Sequence, residues 1–447
     1  MRTTTFLFFI SISIFGFTQT VTYDDVAIIV NTNSSESIAI GNYFKQARNI
    51  PNSNIISVDA PLKETIDSTE FEFVRAQIES HLINNNMVDD INYLVTTKDI
   101  PLAIDFAPSS TTVLTTRSFD SEITMLLGVL ASEIGQLSVV NNQTYDAMGN
   151  FTRSNTGIYL VTRLDGYTSQ DVFDLIDRSG PNTIINPVTA QAILDYYGPS
   201  ADGSYFEQNY LTPVNNHFLS NNWNVYLDND TIILSAQSDV FSYTGTVLVA
   251  DPNTDLNYTW TNGSVASLTS GYSAFTFDLD SNFNDYLILA DLISEGCTGG
   301  HGYVDFTFYS LLFDSPKFIE RYFNSNLNFN LAESFYSGEV RLSSQFVIIG
   351  DPKASVVMDE VAAIEGPDAE QFKVYPNPSN GHFSIQLSDL ASQVSWTITD
   401  ASGRVIRQET AFNKDQLEII LDESSGIYLL NLTVNGHALA PKRLIFK

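Results

Sequence analysis

The chain has 447 residues, 43% hydrophobic and 12% aromatic, a composition that specifies a packed core and excludes a disordered chain. Its 21 Lys and Arg against 52 Asp and Glu give a net charge of −31, which excludes binders of phosphate backbones or anionic membranes, because both need clustered cations. A single Cys excludes an internal disulfide, so stability has to come from burial.

The N-terminus reads MRTTTFLFFISISIFGFTQT. Arg2 supplies a positive start, Phe6 to Phe17 are apolar, and small and polar residues follow. This order describes a secretory signal peptide over residues 1–19. The other reading is an N-terminal membrane anchor, but the run is shorter than the roughly 20 apolar residues that cross a bilayer. No other segment is long enough, so no transmembrane segment is expected in the mature chain.

Residues 20–357 alternate between strand and helix patterns. VAIIVN (26–31), NIISVDA (54–60) and INYLVTT (91–97) are apolar runs of strand type. Between them lie helical patterns at 34–49, with Ser34 or Ser35 as N-cap, and at 68–86, with Phe71, Val74, Ile78 and Leu82 on one face. The alternation resumes with strands at 157–164, 244–251, 271–277, 300–306 and 344–352, and helices at 169–180, 283–296 and 315–326. The stretch 183–243 carries mixed signals and reads as a candidate insertion. The pattern predicts an α/β domain with a mostly parallel sheet and helices on both faces.

Ligands of such sheets sit at the carboxyl ends of strands. The polar residues near those ends are therefore the pocket candidates: Arg163 and Asp165 in VTRLDG, Asp351 in IIGDP, and Asp120 and Glu122 in SFDSE. Asp251 closes LVADP in the same way. Each also suits a turn or an N-cap.

DLDSNFND (278–285) spaces oxygens at Asp278, Asp280, Asn282 and Asn284, as a Ca²⁺ loop begins. Phe283 and Leu289 stand where an EF-hand needs Gly and Glu, which excludes that loop. A non-standard Ca²⁺ site or a solvated loop before the helix remain. No zinc, P-loop, GxGxxG or GxSxG pattern occurs, and no other cofactor is expected.

SEGCTGGHGYVDF (294–306) raises the catalytic question. Cys297 and His301 are the ingredients of a nucleophilic dyad. They equally describe a helix stopped by Gly296 and followed by a strand. A helix C-terminus disfavours a thiolate, and free Cys is commonly buried, so the structural reading is preferred.

From Phe372 the pattern changes to short alternating strands punctuated by Asn377-Pro378, Asn380-Gly381, Ser402-Gly403, Ser425-Gly426 and Asn435-Gly436. Residues 372–447 are read as a small all-β sandwich. The acidic stretch 358–371, with Gly366-Pro367, is read as a linker. VYPNPSNGHFSI, DASGRVI, GIYLLNL and the terminal KRLIFK resemble the C-terminal sorting domain of the type IX secretion system of Bacteroidetes. The resemblance implies the type IX machinery as partner, and release or attachment at the cell surface.

The core carries a second resemblance. NTNSSESIAIGNYFKQARNIPNSNI, INYLVTTKDIPLAI, SFDSEI, IYLVTRLDGYT, LADLISEGCTGGHGYVDF, LAESFYSG and VIIGDP occur in the order of an uncharacterised family of exported bacterial proteins. That family looks distantly similar to caspase- and gingipain-like cysteine peptidases. In those peptidases His and Cys end successive strands. Here the matching place for His is held by Asn262, in NYTWTNGS, and the next segment offers Ser273 and Thr276 but no Cys. The resemblance therefore implies a caspase- or gingipain-like scaffold without its dyad. It favours a non-peptidase protein that binds an extracellular ligand, with Asn262 as a further contact. The alternative is a hydrolase using Cys297 and His301.

Overall fold

The computed structural model describes residues 21–107, 115–138, 140–149, 151–196, 207–228, 234–246, 256–279, 287–306, 313–359, 372–400, 404–435, 437–438 and 442–447. The signal-peptide residues 1–19, Asp251, and the linker from residue 360 onward lie outside them. Two compact units divide at Met358/Asp359.

The first unit is built on a ten-stranded sheet. Its strands are β1 (Val26–Asn31), β2 (Ile55–Val58), β3 (Tyr93–Thr97), β4 (Leu160–Leu164), β5 (Gln191–Tyr196), β6 (Val225–Asp228), β7 (Val240–Thr246), β8 (Trp260–Leu268), β9 (Gly299–Tyr303) and β10 (Phe346–Gly350). Their spatial order is β6-β5-β7-β8-β9-β10-β4-β3-β1-β2. β1, β3, β4, β9 and β10 are buried along their whole length, which explains their continuous apolar reading.

The order contains the same winding twice. β2-β1-β3-β4 forms one half-sheet and β6-β5-β7-β8-β9 the other, each doubling back after its second strand to the far side of its first. All pairs within each half are parallel. β10 closes the seam between the halves and is antiparallel to β9 over five residue pairs. A lone bridge of parallel pattern, Ile349 opposite Arg163, joins β10 to β4. The ends of β10 nonetheless fix its overall direction. Before it, Ser344 O accepts from Ser118 N, beside the carboxyl ends of β3 and β4. After it, Asp351 accepts hydrogen bonds from Tyr23, ahead of β1, and from Arg48, at the far end of the following helix. β10 therefore runs against both neighbours, and the sheet is mixed rather than wholly parallel.

The helices follow from caps and spacing. α1 (Ser35–Arg48) starts where Ser34 Oγ accepts from Ser37 N at 3.0 Å and stops at Asn49, which is left-handed with φ 55°. It lies so close to β1 that a Cβ on Gly41 would stand 2.4 Å from Val30 Cγ1. α2 (Ser68–Asn84) opens on an Asp67–Glu70 capping box and buries Phe71, Val74, Ile78 and Leu82. α3 (Phe119–Ile123) is one turn capped by Ser118, shorter than the apolar run after it suggests. α4 (Ser169–Arg178) uses a Thr168–Asp171 box. α5 (Thr212–Ser220), α6 (Leu289–Glu295), α7 (Ser315–Tyr322) and α8 (Leu331–Gly338) follow along the chain. α1, α4 and α6 pack side by side on one face, and α3, α7 and α8 lie on the other.

Two sequence readings are corrected here. Residues 183–243 are no insertion, because β5 and β6 within them form one edge of the sheet. Phe218, Trp223, Phe241 and Phe323 tie that edge to the core through ring contacts of 5.3–6.4 Å. Residues 271–277 form turns rather than a strand. Tyr272 adopts φ 63°, and the segment bonds instead to the end of β9 and the start of α6, through Ala274 N to Tyr303 O and Leu289 N to Ser273 O.

The second unit is all-β, but its strands form one antiparallel sheet rather than the two of a sandwich. β11 (Phe372–Tyr375), β12 (His382–Asp400), β13 (Val405–Ile420), β14 (Gly426–Val434), β15 (His437–Ala438) and β16 (Lys442–Phe446) share it. β12 pairs with β11, β13 and β14, and β14 with β15 and β16. Along β12 the buried side chains include Phe383, Ile385, Leu387 and Ala391, then Val394, Trp396 and Ile398. The change from odd to even positions falls between Ala391 and Val394, just after the register shift that separates Gln386 from Ala391.

Candidate functional site

Three of the candidates converge at the carboxyl edge of the first half-sheet. β4 carries Arg163 in its fourth position, the following turn carries Asp165, and α3 presents Asp120. Arg163 Nε donates to Asp120 Oδ2 and Nη2 to Oδ1, both at 2.9 Å, a bidentate pair. Nη1 donates to Ile100 O at 2.8 Å and to Asp165 Oδ2 at 3.3 Å, and Nη2 to Pro101 O at 2.8 Å. All five guanidinium hydrogens are thereby engaged. Thr96 Oγ1 donates to Asp120 Oδ1, and Lys98 Nζ stands 3.6 Å from Asp165. Arg163 and Asp120 are 0% and 1% exposed. Burial pushes the Asp165 carboxyl up to about 6, against the pull of Lys98 and Arg163. The cluster braces the strand ends from within and opens no bond to solvent.

Glu122, on the same turn, faces elsewhere. Its carboxylate accepts from Ser343 Oγ at 2.5 Å and Gly135 N at 3.0 Å, and burial raises its pKa.

Asn262 and Asp351 belong to the opposite, amino edge. Asn262 is the third residue of β8, exposed, and accepts from Arg178 Nε at 3.3 Å. Asp351 follows β10, and the reversed direction of that strand carries it to the amino edge. There it is fully buried, bonded by Tyr23 and by Arg48 Nε at 2.7 Å. The candidates thus divide between the two edges, Asp351 because β10 is reversed and Asn262 because it lies near the start of β8 rather than at its end.

Cys297 is 0% exposed at the start of the loop after Gly296, whose φ of 111° makes the left-handed cap of α6. Its Sγ lies 3.2 Å from Gly299 O, and burial pushes the thiol up to about 12. His301 is within β9, stacked on Phe313 at 4.2 Å, with Nε2 2.5 Å from Glu339 Oε1. Both members of that pair are buried, and desolvation raises the Glu339 pKa against the pull of His301. Thiol and imidazole have separate partners, and neither reaches solvent.

Asp278 is described, whereas Asp280, Asn282 and Asn284 lie outside the described residues. Among the described residues, no group of three or more His, Cys, Asp or Glu is placed to hold a metal ion. A cleft of about 190 Å³ between α4 and α6 is lined by Asp171, Asp174, Asp177, Arg178 and Glu295.

Sequence reasoning missed two concavities. One, at the carboxyl edge, is a groove of about 410 Å³ lined by Asn33, Asp59, Pro61, Thr69, Glu70 and Phe73. It lies beyond the carboxyl ends of β1 and β2, against the first turns of α2. The turn residues Asn33, Asp59 and Pro61 after β1 and β2 were its available signal. The other, at the amino edge, is a cavity of about 220 Å³ bounded by Phe151, Leu160, Phe329, Glu333 and Tyr336 among others.

The comparison that decides the second unit is with protein families. Residues 373–447 match the secretion system C-terminal sorting domain. The C-terminal unit is a sorting domain. It directs type IX export, so the protein is delivered to the cell surface or the extracellular space. Among the described residues no helix is long and apolar enough to cross a membrane. No curated protein matches the chain. One similar solved structure is a DUF3244 family protein with an immunoglobulin-like β-sandwich fold from Bacteroides vulgatus ATCC 8482, 14% identical over 17% of this chain and 84% of that one, with a TM-score of 0.16. Another is an FMN-binding beta-glucuronidase from Facaelibacterium prausnitzii L2-6, 9% identical over 96% of this chain and 58% of that one, also with a TM-score of 0.16. Neither likeness bears on the fold or the site.

Proposed function

We propose that the sorting domain exports a non-peptidase ligand-binding protein whose core uses a caspase- or gingipain-type scaffold. The ligand occupies the groove at the carboxyl edge of the first half-sheet. The observation that carries this reading is the position of the groove beyond the carboxyl ends of β1 and β2, the edge at which open α/β sheets receive ligands. Phe73, 56% exposed, offers an aromatic face on one wall. Glu70, on the same helix, and Asp59 and Asn33, across the groove, supply acceptor oxygens. An exposed ring beside hydrogen-bonding groups suits a hydroxyl-bearing ligand with an apolar face, as a sugar ring has. The buried thiol and the buried imidazole support the non-peptidase half of the reading.

Affinity electrophoresis of the full chain through gels carrying soluble polysaccharides tests it. Retardation by at least one polysaccharide is expected, reduced in Phe73→Ala and Asp59→Ala. Retardation indifferent to both substitutions, or none across the panel, overturns the site. Rapid labelling of folded Cys297 by an electrophilic peptide overturns the non-peptidase reading.

A further inference from the structure

Several buried carboxylates of the core have a basic group at hand. Asp120 has Arg163, Asp165 has Arg163 and Lys98, Asp351 has Arg48, and Glu339 has His301. Glu333 differs. It is largely buried and forms no ion pair among the described residues. Its nearest cation, Lys353, is committed to Asp25 and to Thr22 O. The Glu333 carboxylate accepts from Tyr93 Oη at 3.1 Å, Phe151 N at 3.4 Å and Asn330 N at 3.1 Å. A carboxylate has about four acceptor positions, so one is left over.

That carboxylate lines the amino-edge cavity of about 220 Å³, and among the described residues it is the one carboxylate doing so. Phe151, Leu160, Phe329 and Tyr336 form an apolar and aromatic part of the wall, and Gln143, Thr144 and Thr156 a polar part. Phe151 and Phe329 are themselves nearly buried, so the rings are held in place before any ligand arrives. Aromatic faces around a carboxylate without a counter-ion attract an organic cation by charge and by ring quadrupole together. The chain's net charge of −31 raises the local concentration of cations further.

We propose that this cavity is a second binding site, distinct from the carboxyl-edge groove, and that it takes a small primary amine with an apolar body. The ammonium group meets the free acceptor position of Glu333, and the apolar body lies between Phe151 and Phe329. Burial raises the Glu333 pKa, as expected of a carboxylate lacking a counter-charge that a bound ammonium would supply.

Titration calorimetry of the full chain with benzylamine and with benzyl alcohol, its neutral counterpart, tests the proposal. Benzylamine should bind at least tenfold more tightly than the alcohol. Glu333→Gln should abolish that preference. Gln can still close the cap of α8 with Asn330, so the variant should fold. Phe329→Ala should weaken benzylamine, and Phe73→Ala, in the other groove, should leave it unchanged. Equal binding of amine and alcohol, no detectable amine binding, or full amine binding by Glu333→Gln each overturns the proposal.

Discussion

Arg163 and Asp120 face each other through two hydrogen bonds of 2.9 Å, with both side chains shut away from water. Breaking a buried pair from one side leaves the other charge stranded, at a cost of about 3–5 kcal/mol. Arg163→Met should therefore lower the unfolding free energy of the core by that order, read from urea titrations. Asp120→Asn keeps one acceptor and should cost less. The double variant Arg163→Met with Asp120→Leu should recover much of the loss, because no unpaired charge then remains. A double variant as unstable as Arg163→Met alone would show that the pair contributes more than its own neutralisation.

Cys297 should be inert in the folded protein. Its thiol is fully buried, bonded toward Gly299 O, and raised to about 12, so at neutral pH almost no thiolate is present. Reaction with a neutral thiol reagent, followed by intact mass, should be slow without denaturant and rise with urea at the midpoint of core unfolding. Fast labelling below that midpoint would mean that the loop after Gly296 opens locally.

The sequence revealed more of the fold than of the site. Caps and periodicity place α1, α2 and α4 because those signals are local: Ser34, Asp67 and Thr168 each act within one turn. The continuous apolar runs of β1, β3 and β10 are equally local. The far edge was missed because β5 and β6 are mixed in composition, and the packing of that edge depends on rings such as Phe218 and Phe323 that are distant in the chain. The candidate residues were found as polar strand-end residues. Whether Asp351 meets the others depends on the direction of β10, which pairing sets and its own residues do not. Asp351 ends a strand just as Asp165 follows one, yet the two finish on opposite edges.

Gly41 marks the closest approach of α1 to the sheet. A Cβ there would fall 2.4 Å from Val30 Cγ1, and a β-branched neighbour on a buried strand has little freedom to turn away. Gly→Ala inside a helix normally favours folding by about 0.5–1 kcal/mol. Here overpacking should outweigh that gain and leave Gly41→Ala destabilised by roughly 1–3 kcal/mol. Adding Val30→Ala makes room for the new methyl, so the second substitution should cost less in the Gly41→Ala background than alone. Thermal midpoints of the four proteins measure that coupling.

Asp165 should give the core a recognisable pH signature. Its folded pKa is about 6, raised from 3.8 chiefly by burial. Between those values the folded state holds a proton that the unfolded state has released. Stability from this group is therefore full below pH 4 and falls as pH rises through about 6, the reverse of an ordinary salt-bridged carboxylate. At 1.36 kcal/mol per unit, the change across the window is about 3 kcal/mol. Asp165→Asn carries no titrating proton and should lack this slope. The unfolding free energy of the wild type minus that of Asp165→Asn should thus become less favourable to the wild type from pH 4 to pH 7. A difference that stays flat or grows over that range would mean that Lys98 and Arg163 outweigh burial and hold Asp165 ionised throughout.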